Sequence, residues 1–497
     1  MKTLCLRLSV YFTVASVAAS SAMAATWTQT TAGAFTWTSN SNWTSPATFP
    51  NGIDATANMS VNLTANQSVT LNQTITLGSL TVGDTSSAAN NQFGLTINPA
   101  GGNFVLHNTT GNATVTKVFV SGNFNGVNDV INAPVLLNSD AMFSNGFSNS
   151  TDSRLEFAGA ISGSGNVTIG GVGLVRLSQT NTFNGTTAIT TGRLQVTNAL
   201  AVQNSTVVTS SSSNGLGFQT SSAFTFGGLS GSGNFSLQQG SAGTGAAIAL
   251  SVGNNNADTT YSGTMGLNGT FTKIGTGILT LSGSNTYTGN TTVSAGTLRI
   301  NGSTSSSSRV NVGVNGTLGG NGTIGGATTI QGTHAPGNSP GLQSFTSNLT
   351  YSGGNSTVQW ELIGNTTTNT GNATYDQIIV GGNLSFANAT TLSLAFNSAN
   401  STVLWSDPFW GSNQTWTLYD VTGVTTNSGN LSITPGSWQD SGGSPLGSSI
   451  RAGSSFNLEQ VGNDILINYV AVPEPSTIAL VVAGCVGVGL VVRRRRR

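Results

Sequence analysis

Charge is scarce in this chain. Only 6% of its 497 residues are Asp, Glu, Lys or Arg, against about 25% in ordinary globular domains. Much of the basic charge sits at the ends. Lys2 and Arg7 lie near the start and Arg493 to Arg497 close the chain, so eight of the 15 basic residues fall between them. All 15 acidic residues lie between Asp54 and Glu474. The stretch between the ends is therefore acidic by about seven charges. It has no basic patch to displace phosphate counterions, which excludes nucleic acid as a partner.

Other chemistry-bearing residues are equally sparse. The two cysteines are Cys5 and Cys485, so no disulfide, thiolate metal site or thiol nucleophile is available between them. The two histidines, His107 and His334, belong to no spaced metal motif. His334 lies in the turn-rich stretch from Gly332 to Gly337 and is expected to be a solvent-facing or turn residue. There is no Gly-x-Ser-x-Gly elbow and no calcium-binding nonapeptide repeat. The Gly-Ser-Gly-Asn runs read as turns, since no helix follows them to cradle a phosphate. Carboxylates are scattered. The densest cluster, Asp152, Arg154 and Glu156, has strand-face spacing and reads as a solvated face. No catalytic, cofactor-binding or metal-binding residue is assigned, and the chain is read as not an enzyme.

What is abundant is small. Gly accounts for 66 residues, and Ser, Thr and Asn fill much of the remainder. Disorder is a natural thought for such a composition, but hydrophobic residues still reach 37% and high net charge is missing. Small polar residues alternating with Val, Leu and Ile suit strands. Many Asn-x-Ser/Thr triplets occur, among them Asn42, Asn62, Asn290 and Asn372. They follow from the Asn, Ser and Thr content, with glycosylation as the sharper alternative.

The two ends read as address labels. Lys2 and Arg7 precede an apolar run from Leu8 to Ala19, followed by Ala22-Met23-Ala24-Ala25. This is the layout of a secretory signal, residues 1–24, cleaved between Ala24 and Ala25. At the other end Pro473, Glu474 and Pro475 precede an apolar run from Ile478 to Val492 and then Arg493, Arg494, Arg495, Arg496 and Arg497. The run 478–492 is expected to be a transmembrane helix, its arginines held in the cytoplasm by the positive-inside rule. The prolines keep the Pro-Glu-Pro stretch extended and outside that helix.

Residues 471–497 resemble the PEP-CTERM sorting signal of Gram-negative bacteria, with its three parts in order. The resemblance implies an exosortase-type processing enzyme as partner and the inner membrane as a temporary anchor. It further implies cell-surface or extracellular-matrix localisation after processing.

Between the ends the chain repeats itself. Residues 261–301 and 157–197 align without a gap. Leu281 matches Leu177, Tyr287 matches Phe183, Val293 matches Ile189 and Leu298 matches Leu194, while the turn residues Gly289 and Gly296 match Gly185 and Gly192. Short strands punctuated by Gly and Asn-Gly, in repeated units that bury their apolar edges only on neighbours, imply a solenoid. The segment from Phe271 to Leu298 resembles the autotransporter-associated β-strand repeat, which implies a right-handed parallel β-helix of passenger type. The earlier copy departs from that pattern at Arg176 and Gln179.

The resulting expectation is an all-β chain. Residues 25–470 form a right-handed parallel β-helix, with 375–470 as a more irregular cap. Trp27, Trp37 and Trp43 lie early and Trp360, Trp405, Trp410, Trp416 and Trp438 late, as cap packing requires, with sugar stacking the alternative. The expected function is that of a structural or adhesive surface protein with exopolysaccharide as its extracellular partner. The alternative is a polysaccharide-acting β-helix enzyme, which a carboxylate cluster on one face of the solenoid would favour.

Overall fold

The computed structural model describes residues 23–472, apart from 45–47, 87–92, 119–126, 148–152, 211–214, 241–244, 370–373, 435, 437 and 448–450. The described chain is β-structure joined by turns, with three short 3-10 turns. Its strands stack in parallel as a β-solenoid. From Thr56 to Gly163 each coil lays one strand on each of three faces. One such coil is Ala113–Lys117, Asp129–Ile131 and Val135–Leu137, and the next is Ala141–Asn145, Arg154–Phe157 and Ile161–Gly163.

Alternation of side chains along each strand decides what stacks. Val69, Ile97, Ile131, Phe157, Leu177, Val196 and Phe218 are in register on successive coils and form one buried apolar column. The sequence repeat is visible in the same terms. Phe157, Leu177 and Val196 stack in one copy, and Tyr261, Leu281 and Ile300 stack in the other. All six are buried.

Glycine marks a corner of the coils. A Cβ on Gly302 would lie 2.1 Å from the Gly283 carbonyl oxygen, and one on Gly322 would lie 2.1 Å from that of Gly302. Backbones stacked this closely leave no room for a side chain, which explains much of the glycine content.

The ends differ from the middle. Trp27, Trp37 and Trp43 are buried, and Trp43 packs against both of the others, with ring centroids 5.0 Å from Trp27 and 4.7 Å from Trp37. At the far end Trp360, Trp405, Trp410 and Trp416 are buried, while half-buried Trp438 packs on Phe456 at 5.2 Å. The tryptophans thus pack the ends of the solenoid. Parallel stacking continues as far as Leu431–Ile433. Asp464–Val470 then pairs antiparallel with both Gln414–Val421 and Ser455–Val461.

Candidate functional site

Some outward-facing polar side chains that neighbour one another on successive coils are hydrogen-bonded. Arg154 pairs with Glu156 at 2.7 Å, Arg176 approaches the same carboxylate at 3.7 Å, and Arg176 also donates to Gln195 and Gln219. This is the solvated, paired face expected of Arg154 and Glu156; Asp152 lies outside the described residues.

One region is different. Thr297, Thr317, Thr333 and Thr357 are in register on four successive coils. In the adjacent column Thr280 is followed by Arg299, Gly319 and Ala335. The side chains of Gly319 and Ala335 are too small to fill their rungs, so the outer face is dented. A groove of about 350 Å³ results, bordered by Arg299, Gln359, Glu361 and the loop from Pro336 to Ser339. Gly319 is also sterically required, since a Cβ there would meet the Ala335 carbonyl oxygen at 2.7 Å.

Buried polar groups hold the groove in shape. Asp376 is 1% exposed and accepts the Gly341 N–H at 2.6 Å and the Glu361 N–H at 2.9 Å. It buckles the loop that walls the groove to the strand Ser356–Glu361. Burial pushes its carboxyl well above the usual range, and the nearby Glu361 adds to this, against the pull of the two N–H donors. Beneath the floor, Gln343 donates from Nε2 to the Gly319 carbonyl at 2.8 Å. Gln343 Oε1 accepts from His334 Nε2 at 2.7 Å, and His334 Nδ1 lies 2.6 Å from the Tyr351 hydroxyl. Tyr419 in turn donates to Tyr351 at 2.8 Å.

His334 is therefore not the solvent or turn residue its neighbours in sequence suggest. It is fully buried, because the strand Thr333–Pro336 turns its side chain inward between Leu318 and Val358. Burial lowers its pKa to about 4, against the opposing hydrogen bond to Gln343. His107 is half-buried, and its backbone N–H and C=O bond Leu77 and Asp54.

Ala24 and Ala25 lie on the first strand, Ala24–Thr26, which pairs with Thr56–Val61; Ala25 is buried. Asn42 is buried and donates to the Thr36 carbonyl, whereas Asn62 and Asn290 are exposed. Pro473, Glu474, Pro475, the run 478–492, Arg493 to Arg497, Asn372 and residues 1–22 lie outside the described residues. Among the described residues no helix is long and apolar enough to cross a membrane.

Two family models match the chain. The passenger-associated-transport-repeat matches residues 271–300, the segment that brings Arg299 to the groove. The PEP-CTERM protein-sorting motif matches residues 471–497. The chain carries both features. The motif implies export with exosortase-dependent processing. No curated protein is matched by this chain.

Two carboxylates meet at the groove. Glu361 and Asp376 are neighbours, but both oxygens of Asp376 are taken by backbone N–H groups and Glu361 Oε1 accepts from Ser398 at 2.9 Å. A general acid needs a proton aimed at the reacting atom. Sequence spacing did not single out Arg299, Glu361 or Asp376, because they come from three different coils. The one available signal was that an arginine is rare in this chain.

Proposed function

We propose that this chain is a non-enzymatic structural protein of the cell surface or extracellular matrix, made as a membrane-anchored precursor. Residues 1–24 direct export and are removed, leaving Ala25 on the first strand. Residues 25–470 form the body, wound right-handed as parallel crossovers almost always are. Residues 471–497 hold the precursor in the inner membrane through the helix 478–492 until an exosortase cuts near Pro473 to Pro475.

The observation that carries this reading is the match of the sorting motif to residues 471–497. It begins directly after the closing strand Asp464–Val470, so the cut falls between a finished fold and an anchor. The alternative of a polysaccharide-acting enzyme draws on the adjacency of Glu361 and Asp376, and is weakened by the hydrogen bonds that occupy Asp376. Intact-mass analysis of extracellular material is the test. The mature protein should lack Arg493 to Arg497, and recovery of a full-length C-terminus outside the cell would overturn the reading.

A further inference from the structure

We propose that the groove between Arg299 and Glu361 binds a short segment of an acidic polysaccharide, with a uronate carboxylate seated on the Arg299 guanidinium. The proposal rests on the reading of the chain as an exported matrix protein and adds the site and the ligand class.

The argument starts from unpaired groups. The side chains of Thr297, Thr317, Thr333, Ser339, Gln359 and Arg299 all border the groove, and none hydrogen-bonds another described residue. Some outer-face columns pair their own polar groups, as Ser79 does with Thr114, and Asn98 with both Ser68 and Asn132, while others, such as Ser251, Thr272 and Thr292, stack in register without doing so. Among the described residues the fully buried cations have partners. Lys117 is paired with Asp129, Lys273 donates to three backbone carbonyls, and Arg451 donates to the Trp405 and Asp407 carbonyls. Arg299 is half-buried and, like Arg193, has no side-chain hydrogen bond to another described residue; it borders the groove and carries a planar guanidinium fork. Such a fork matches a planar carboxylate in two parallel hydrogen bonds.

The rest of the groove selects a sugar. Its cavity of about 350 Å³ is at the small end of ligand pockets, roughly 300–1,000 Å³. From Arg299 to Gln359 is three coils, roughly 14 Å at about 4.8 Å per coil, so the site is elongated along the solenoid. Threonine hydroxyls repeat at the coil spacing, which is close to the length of one pyranose unit. Gln359 and Glu361 at the far end accept hydroxyl donors.

Other ligand classes fit less well. A peptide would need apolar side-chain pockets or an open strand edge, and here the strands are already paired on both sides. A small inorganic anion would use Arg299 and leave the threonine column idle.

The test is calorimetric titration of the purified mature protein with a tetragalacturonate, its methyl ester and neutral cellotetraose. We expect saturable binding of the free acid at about 1 mM or tighter. Binding should be at least about tenfold weaker for the ester, for cellotetraose and for the Arg299→Gln variant. Ala335→Glu, which fills the groove floor with a like charge, should abolish binding while circular dichroism stays β-type. Equal binding of acid and ester, unchanged binding by Ala335→Glu, or no saturable binding of the acid would each overturn the proposal. The reading of the tail is judged by the C-terminal mass alone, so either can fail without the other.

Discussion

His334 Nε2 lies 2.7 Å from Gln343 Oε1, and this contact fixes the ring's tautomer. Gln343 uses its amide N–H on the Gly319 carbonyl, so its oxygen faces His334 and can only accept. Nε2 therefore carries the proton and Nδ1 accepts from the Tyr351 hydroxyl, which itself accepts from Tyr419. Four side chains donate in one direction, from Tyr419 to the groove floor. A protonated imidazole would put two donors face to face at Tyr351.

Acid should therefore weaken the fold at this point. The folded state favours the neutral ring, with a pKa near 4 against 6.5 for the free side chain. The unfolded chain takes up the extra proton, so the contribution is complete above pH 6.5 and is lost as pH falls toward 4, by about 3 kcal/mol in all. Asp376 works in the opposite sense, since its raised pKa favours the folded state at low pH. The comparison to make is wild type against His334→Phe in denaturant titrations at pH 7 and pH 4.5. The variant should be less stable at pH 7, and the gap should narrow at pH 4.5.

Leu281 is fully buried between Tyr261 and Ile300 on adjacent coils. Leu281→Ala should cost about 2–5 kcal/mol. Leu281→Asp or Val293→Asp should cost more and disrupt the stack, because each buries an unpaired charge. Thermal unfolding followed by circular dichroism would show it, and an unchanged transition for Leu281→Asp would contradict the stacked core.

At the glycine corner, Gly302→Ala places a methyl group 2.1 Å from the Gly283 carbonyl oxygen. Backbone cannot swing aside as a flexible side chain can. The coils must separate locally, at a cost of about 1–3 kcal/mol. Gly354, where an added Cβ meets nothing within 4 Å, is the control position and should tolerate Ala.

Chelator and reductant should leave the body unchanged. Cys5 and Cys485 lie in the two end segments, and no group of three or more metal-ligating side chains occurs among the described residues. The unfolding midpoint of the mature protein should be the same with EDTA and dithiothreitol as without. A drop with either reagent would reveal a site that the fold does not account for.

Much of this architecture could be read directly from the chain, because it is local. Alternation of apolar and small residues sets the strands. In the two repeats, coils of nearly constant length stack Phe157 on Leu177 and Val196, and Tyr261 on Leu281 and Ile300. Matching positions in the sequence are therefore matching positions in space. The sorting motif is equally local, being a linear string of residues.

The groove was decided only by tertiary structure. Beyond the second repeat the coil length varies: Thr297, Thr317, Thr333, Thr357 and Thr391 are successive rungs of one column, yet their spacing in sequence changes at every step. No fixed period reveals that Arg299, Glu361 and Asp376 border one cavity, or that the strand carrying His334 turns it inward. Register between coils is set by where each loop ends and which side chains fill the interior, and that is a property of the stacked solenoid rather than of any one segment.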